Sequence, residues 1–235
     1  MKKGYLIFNG GEAFDSSMYE SDRAWMRLVR GNRRPRVVVV PVAAMAKHQK
    51  IAYETCKYFN RMDAQTDYKL ITDQTLANTP SEFEVLSKVE AVILSDGSPI
   101  DMLERIRGTR TEEALQMALE RKAAIYGTGA SAMALGAAYW FAHDWLPGLG
   151  LAPNLALLPH YDLIAGRLST EKLLSTLPEG LTLVGLDQRT NLISHPDGTF
   201  EVQGKGRAIV YRSINQLDTY THGKTFTLNP PADAD

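Results

Sequence analysis

The chain has 235 residues, 44% of them apolar and 23% charged, which is the composition of a soluble globular protein and excludes a collagen-like, coiled-coil or intrinsically disordered chain. Lys and Arg total 26 against 27 Asp and Glu, a net charge of -1, so no overall field recruits nucleic acid or an anionic membrane, and neither is expected as a partner. The single cysteine, Cys56, excludes an intramolecular disulfide and a thiolate zinc cluster. The apolar stretch after Met1-Lys2-Lys3 is too short for a signal segment, and no run reaches the ~20 residues that span a bilayer, so a cytoplasmic protein is expected.

In chain order, short apolar runs alternate with longer amphipathic ones, the pattern of βαβ units around a parallel sheet. Strands are predicted at Tyr5 to Phe8, Val37 to Val40, Tyr68 to Ile71, Ala91 to Leu94 and Ala123 to Tyr126. Several are unbroken apolar runs, as in strands covered on both faces. Helices are predicted between them at Ser21 to Val29, Gln49 to Met62, Ser81 to Lys88 and Thr111 to Arg121. Ser131 to Ala142 is apolar almost all round and is expected to be a buried helix. After Pro147-Gly148-Leu149-Gly150 the character turns β-rich, with one helix at Thr170 to Leu177. The turn signal His195-Pro196-Asp197-Gly198 separates Leu192-Ile193 from Phe200 to Val202, and Gly204-Lys205-Gly206 separates that strand from Ala208 to Tyr211. This part is expected to be a mixed or antiparallel extension of the sheet, so that residues 1–228 form one domain, with 229–235 a frayed tail.

The chemistry concentrates at Ala124-Ile125-Tyr126-Gly127-Thr128-Gly129-Ala130-Ser131-Ala132-Met133, a strand, a glycine-rich turn and a buried helix. This is the layout of a nucleophile elbow, which needs small residues two before and two after the nucleophile. Centring the elbow on 129 gives Gly127 and Ser131 as flanks, both small, whereas centring it on Ser131 gives Met133, which is too large. Sterics therefore put the nucleophile position at Gly129, which has no nucleophile. Ser131 reads either as a helix-start residue whose hydroxyl satisfies a free backbone N–H or as a displaced nucleophile.

Gly127-Thr128-Gly129-Ala130-Ser131-Ala132 resembles the Gly-Thr-Ser-Ala-Gly-Ala elbow of the S51 serine peptidases, the cyanophycinase and aspartyl dipeptidase (peptidase E) group, with Ser and Gly exchanged. Asn9-Gly10-Gly11-Glu12 resembles their Gly-Gly-Gly-Glu, and Leu94-Ser95-Asp96-Gly97-Ser98-Pro99 sits where cyanophycinases carry a Gly-Gly-Asn/Asp-Gln loop. Pro159-His160-Tyr161-Asp162, with Arg167-Leu168 following, is similar to Asp-Gln-His-Phe…Arg-Leu. Val184 to Thr190 is similar to Gly-Ile-Asp-Glu-x-Thr-Ala, and Val202-Gln203-Gly204-Lys205-Gly206 to Val-x-Gly-x-Gly. The resemblance implies a class I glutamine amidotransferase-like fold: a three-layer α/β/α sandwich with a mainly parallel central sheet and a β-rich C-terminal extension.

The same resemblance implies a serine, a histidine and an acid as catalytic group, and at the matching positions stand Gly129, His160 and Gln188. A glycine cannot form an acyl-enzyme. Gln188 can accept a hydrogen bond from an imidazole but carries no charge to stabilise an imidazolium. The expected function is accordingly an S51-like protein inactive as a serine peptidase, binding a small acidic or peptide-like ligand, or a partner, in the former active-site crevice. Gly10, Gly11, Gly97, Thr128, Gly129 and Gln188 are expected to line that crevice, with backbone N–H groups turned towards an anion. The alternative is a serine-type hydrolase of an acidic dipeptide or amide, using Ser131 with His160. No cofactor is implied, and the histidines outside the crevice show no metal-ligand spacing, so no metal is expected. Cys56 reads as a small core residue. Trp140, Phe141 and Trp145 offer aromatic area for a homodimer, and core packing explains them equally well.

Overall fold

The computed structural model describes residues 4–30 and 33–228, so the expected tail lies outside the described residues. The first half runs β1 (Tyr5–Asn9), α1 (Tyr19–Arg30), β2 (Arg36–Val40), α2 (His48–Asn60), β3 (Gln65–Tyr68), α3 (Gln74–Ala77), α4 (Pro80–Leu86), β4 (Ala91–Leu94), α5 (Pro99–Ile106), α6 (Arg110–Glu120) and β5 (Ala124–Thr128). It continues with α7 (Ala130–Leu135), β6 (Gly136–Phe141), β7 (Asp144–Pro147), β8 (Ala152–Pro159), α8 (Tyr161–Ile164) and α9 (Thr170–Ser175). The chain then forms β9 (Thr182–Leu186), β10 (Thr190–Ser194), β11 (Phe200–Gly204), β12 (Ala208–Ser213), β13 (Gln216–Tyr220) and β14 (Thr225–Phe226).

The central sheet has eight strands in the order β14-β11-β10-β1-β5-β4-β2-β3. The five from β1 to β3 are parallel, and β10, β11 and β14 continue the sheet antiparallel. Alternate residues of the apolar strands enter two different cores, which is why their sequences show no polar face. Ile7, Val37, Val39, Ile93 and Tyr126 pack with Trp25 and Met26 of α1 and with Ala52 and Phe59 of α2. Leu6, Phe8, Val38, Val40, Val92 and Ile125 face the other way, onto Met102 of α5, Leu115 of α6 and Leu135 of α7. Helices thus cover both faces of a mainly parallel sheet, as the expected sandwich requires.

Three expected elements differ in the structure. The helix expected over Ser131 to Ala142 stops at Leu135, and Gly136 turns the chain into β6, which pairs with β7 and β8. A Cβ on Gly136 would lie 2.8 Å from the Leu155 carbonyl, so only glycine lets the backbone come this close to β8. An all-apolar run fits a buried helix and a buried strand alike, and Tyr139-Trp140-Phe141 favours the strand. The strand expected at Tyr68 to Ile71 instead spans Gln65–Tyr68, a strand of alternating exposure that among the described residues pairs with β2 alone, at the edge of the sheet. The β-rich part only partly extends the sheet: β6, β7, β8, β9, β12 and β13 form a second sheet, ordered β13-β12-β9-β8-β6-β7. One face of that sheet, with Leu155, Leu157, Val184 and Val210, joins the core above α7, and the other, with Leu158, Leu183 and Ile209, is closed by Leu173 of α9.

Among the described residues, no helix is long and apolar enough to cross a membrane. Cys56 is buried, and its Sγ lies 3.5 Å from the Asp67 carbonyl. Trp145 is buried, pairs with Trp140 across β6 and β7, and donates its indole N–H to the Leu173 carbonyl, while Phe141 remains exposed.

Candidate functional site at the carboxyl ends of the strands

The turn between β5 and α7 is made by Gly129 at φ 52, ψ -116, a backbone that side-chain-bearing residues rarely adopt. A Cβ built there would lie 2.0 Å from Oδ1, 2.1 Å from Cγ and 2.3 Å from Oδ2 of Asp96. The space a side chain at 129 would fill is therefore occupied by a carboxylate reaching across from the loop between β4 and α5. Its Oδ1 accepts from the backbone N–H of Ala130 at 2.8 Å and of Gly97 at 2.7 Å. Its Oδ2 lies 3.2 Å from His160 Nε2.

His160 caps α8 in the left-handed region, φ 52, and donates its backbone N–H to the Gly10 carbonyl at 2.7 Å. Its ring lies against Gly11, where a Cβ would come within 2.1 Å of Cε1, so a glycine at 11 is what admits the imidazole. The amide Nε2 of Gln188 lies 3.2 Å from His160 Nδ1, and the Gln188 backbone N–H donates to Asp162 Oδ1 at 2.9 Å. The result is a line from two backbone N–H groups through Asp96 and His160 to Gln188. Burial pushes the Asp96 carboxyl up, but the hydrogen bonds from His160 and from the Ala130 and Gly97 N–H groups outweigh it and hold the acid below its ordinary value. The imidazole moves the other way: its hydrogen bond to Asp96 raises it, against the effect of burial.

The structure thus joins Gly11, Gly97, Gly129, His160 and Gln188 of the expected set in one constellation. It does not bring Ser131 there: that side chain is fully buried and donates to the Ser95 carbonyl, neither capping the helix nor lining the cleft. Gly10 and Thr128 support the site from beneath, and Gly10 donates to the Thr190 carbonyl. Asp187, the acid next to Gln188, is held by Arg207, with Nε 2.9 Å from Oδ2. The N–H groups of Gly11 and Gly129 are spent on Asn9, so the pair that converges belongs to Gly97 and Ala130. Sequence reasoning missed Asp96. Its loop was recognisable, but a carboxylate placed over a glycine from another strand leaves no local pattern.

A buried polar chain lies under the constellation. Gly11 N–H and the Thr128 hydroxyl donate to Asn9 Oδ1, and Asn9 Nδ2 donates to Asn191 Oδ1. Tyr126 also donates to Asn191 Oδ1, and Asn191 Nδ2 donates to Asp22 at 2.8 Å. Asp22 accepts further bonds from Trp25 Nε1 and the Tyr58 hydroxyl. Complete burial, only partly offset by these donors, pushes its carboxyl up to about 6.

Asp96 and His160 form the polar end of a cleft of about 420 Å³, otherwise walled largely by apolar side chains, among them Met133, Trp140, Leu158 and Leu168. That volume suits a small organic ligand. Among the described residues, no three His, Cys, Asp or Glu side chains gather as a metal site.

The solved structure of a peptidase from an acI-B1 Actinobacterium superposes with a TM-score of 0.85 at 17% identity, covering 96% of this chain and 97% of its own. A putative peptidase E protein from Listeria monocytogenes EGD-e superposes with a TM-score of 0.59 at 13% identity, covering 89% and 98%. At these identities the likeness is one of fold. No curated protein sequence matches the chain. The family model for Peptidase family S51 matches residues 5–201, most of the chain, and the protein belongs to that family.

Proposed function

We propose that this member of the family does not cleave peptides by a serine mechanism and that its cleft binds a small ligand, in the cytoplasm. The observation that carries the reading is the Asp96 carboxylate seated where a side chain at 129 would be. The β5–Gly129–α7 turn keeps the form of a nucleophile elbow without its nucleophile, and the two hydroxyls beside it are buried, Thr128 donating to Asn9 and Ser131 to the Ser95 carbonyl. His160 has both ring nitrogens engaged, one by Asp96 and one by Gln188, so the free lone pair that a base towards serine needs is not on offer.

The ligand that best suits the cleft has an apolar or peptide-like body and an uncharged polar group directed at Asp96 and His160. A ligand carboxylate is disfavoured, because the two N–H groups that would hold it already hold Asp96. The test is labelling with a fluorophosphonate, read by intact mass and peptide mapping. The native protein is expected to stay unlabelled, and a Gly129→Ser/Asp96→Gly/Gln188→Glu variant to label at 129. A label on Ser131 of the native protein would overturn the proposal in favour of a hydrolase with a displaced nucleophile.

A further inference from the structure

We propose that Asp96 is itself a nucleophile, opening a small apolar epoxide held in the cleft while His160 supplies and then recovers a proton. The inference rests on the reading of the cleft as a small-ligand site and goes beyond it in assigning covalent chemistry.

Four observations carry it. The two oxygens of Asp96 are in different states: Oδ1 accepts two backbone N–H groups, which takes both its lone pairs, whereas Oδ2 meets His160 alone and keeps one lone pair. The carboxylate sits over Gly129, the point at which a strand–turn–helix presents a nucleophile, and its side chain keeps 43% of its exposure. The N–H groups of Ala130 and Gly97 are so placed that a tetrahedral centre at Cγ would develop its negative charge on the oxygen they already bind. The walls, with Met133, Trp140, Leu158, Ile164 and Leu168, suit an apolar body and offer no second charge.

The steps balance. With the Gln188 amide turned so that its oxygen accepts from Nδ1–H, His160 can carry a proton on each ring nitrogen. The Oδ2 lone pair attacks the less hindered epoxide carbon, the C–O bond of the ring breaks, and the ring oxygen leaves with the electron pair and takes the Nε2 proton of that His160 imidazolium. The products are an Asp96 hydroxyalkyl ester and a neutral imidazole. Ester formation removes the charge that favoured the imidazolium, which leaves His160 competent as a base. His160 then takes a proton from water as the hydroxide adds to Cγ. The tetrahedral centre expels the diol oxygen, which takes the proton of the added hydroxyl and leaves the Asp96 carboxylate and the His160 imidazolium as at the start. The sum is epoxide plus water giving diol, with no change of oxidation state.

The test uses the full chain and styrene oxide. Binding is read separately from chemistry, as saturable quenching of tryptophan fluorescence that is lost in Trp140→Phe. In water enriched in oxygen-18, repeated turnover is expected to place the heavy isotope in the Asp96 peptide, because each cycle renews one carboxylate oxygen. In His160→Gln, which lacks both the proton donor for ring opening and the base for hydrolysis, binding is expected to persist while diol and isotope at Asp96 are both lost. Binding to the native protein with no isotope at Asp96 overturns the inference and leaves the cleft reading standing. Diol whose isotope appears in the product and never in Asp96 overturns it too, since water then attacks directly. Absence of binding overturns both.

Discussion

The contact between Asp96 and the turn at Gly129 has a measurable energetic consequence. In Gly129→Ala the new Cβ would lie 2.0–2.3 Å from three carboxylate atoms, so Asp96 must swing away. It gives up the Ala130 and Gly97 N–H bonds and the contact with His160. Hydrogen bonds to a charged group are worth about 1.5–3 kcal/mol each when buried, and this half-exposed carboxylate regains water, so the combined loss is about 2–3 kcal/mol. Holding a non-glycine residue at φ 52, ψ -116 adds about 1–3 kcal/mol of backbone strain. Gly129→Ala is therefore expected to destabilise by about 3–6 kcal/mol and Asp96→Ala by about 2–3 kcal/mol, both for the reasons just given. The double variant loses the hydrogen bonds only once, so it is expected to fall short of the sum by about 2–3 kcal/mol. Urea unfolding of the four proteins, followed by tryptophan fluorescence at neutral pH, measures the cycle. Additivity to within about 0.5 kcal/mol would show that the carboxylate and the turn do not compete for one space, and the reasoning would fail.

Replacing Asp96 by Asn is expected to lower the His160 pKa, since the carboxylate is its main raising influence and burial is then opposed only by the more distant charges of Asp162 and Glu12; NMR titration of the imidazole checks this, and an unmoved value refutes it. The depressed Asp96 acid adds stability above about pH 4, its ordinary value, and loses it as pH falls. The raised imidazole adds stability below about pH 6.5 and loses it as pH rises, so the pair contributes most between these limits and the Asn variant is expected to lose that maximum. Asp22→Ala strands the donors of Trp25, Tyr58 and Asn191 in the core and is expected to cost about 3–5 kcal/mol, or to prevent folding, whereas Asp22→Asn keeps an acceptor and folds. Because burial raises Asp22 to about 6, its ionisation destabilises the native chain as pH climbs from about 4 to about 6, and denaturation of the Asn variant is expected to lack that downward slope. Ser131→Ala is expected to cost about 1 kcal/mol for the bond to the Ser95 carbonyl and to leave ligand binding unchanged; lost binding would contradict its placement in the core.

The parallel half of the fold was legible because its strands are buried on both sides: Val37 to Val40 and Ala91 to Leu94 admit no polar residue, and glycine marks where the backbone crowds. The second sheet was not, because β6 is as apolar as a buried helix, and its pairing with β8 is set by contacts far along the chain. At the site, the small-residue rule located Gly129, and the motif order located His160 and Gln188. Asp96 escaped because its role comes from what is missing opposite it. The acids next to Gln188 and His160 could not be ranked from sequence: Asp187 turns to Arg207, and Asp162 holds the Gln188 backbone.

The buried chain from Thr128 to Asp22 has a fixed sense. Every member donates towards Asp22, which when ionised can only accept, so neither Asn9 nor Asn191 can then turn its amide over without setting like against like. Bonds in series of this kind polarise one another and fail together. The ends of β1 and β5, the start of β10 and the first turn of α1 are therefore a single latch, and the amide hydrogen of Gly11, under the His160 ring, should exchange with solvent only as fast as the helix on the far side of the sheet lets go.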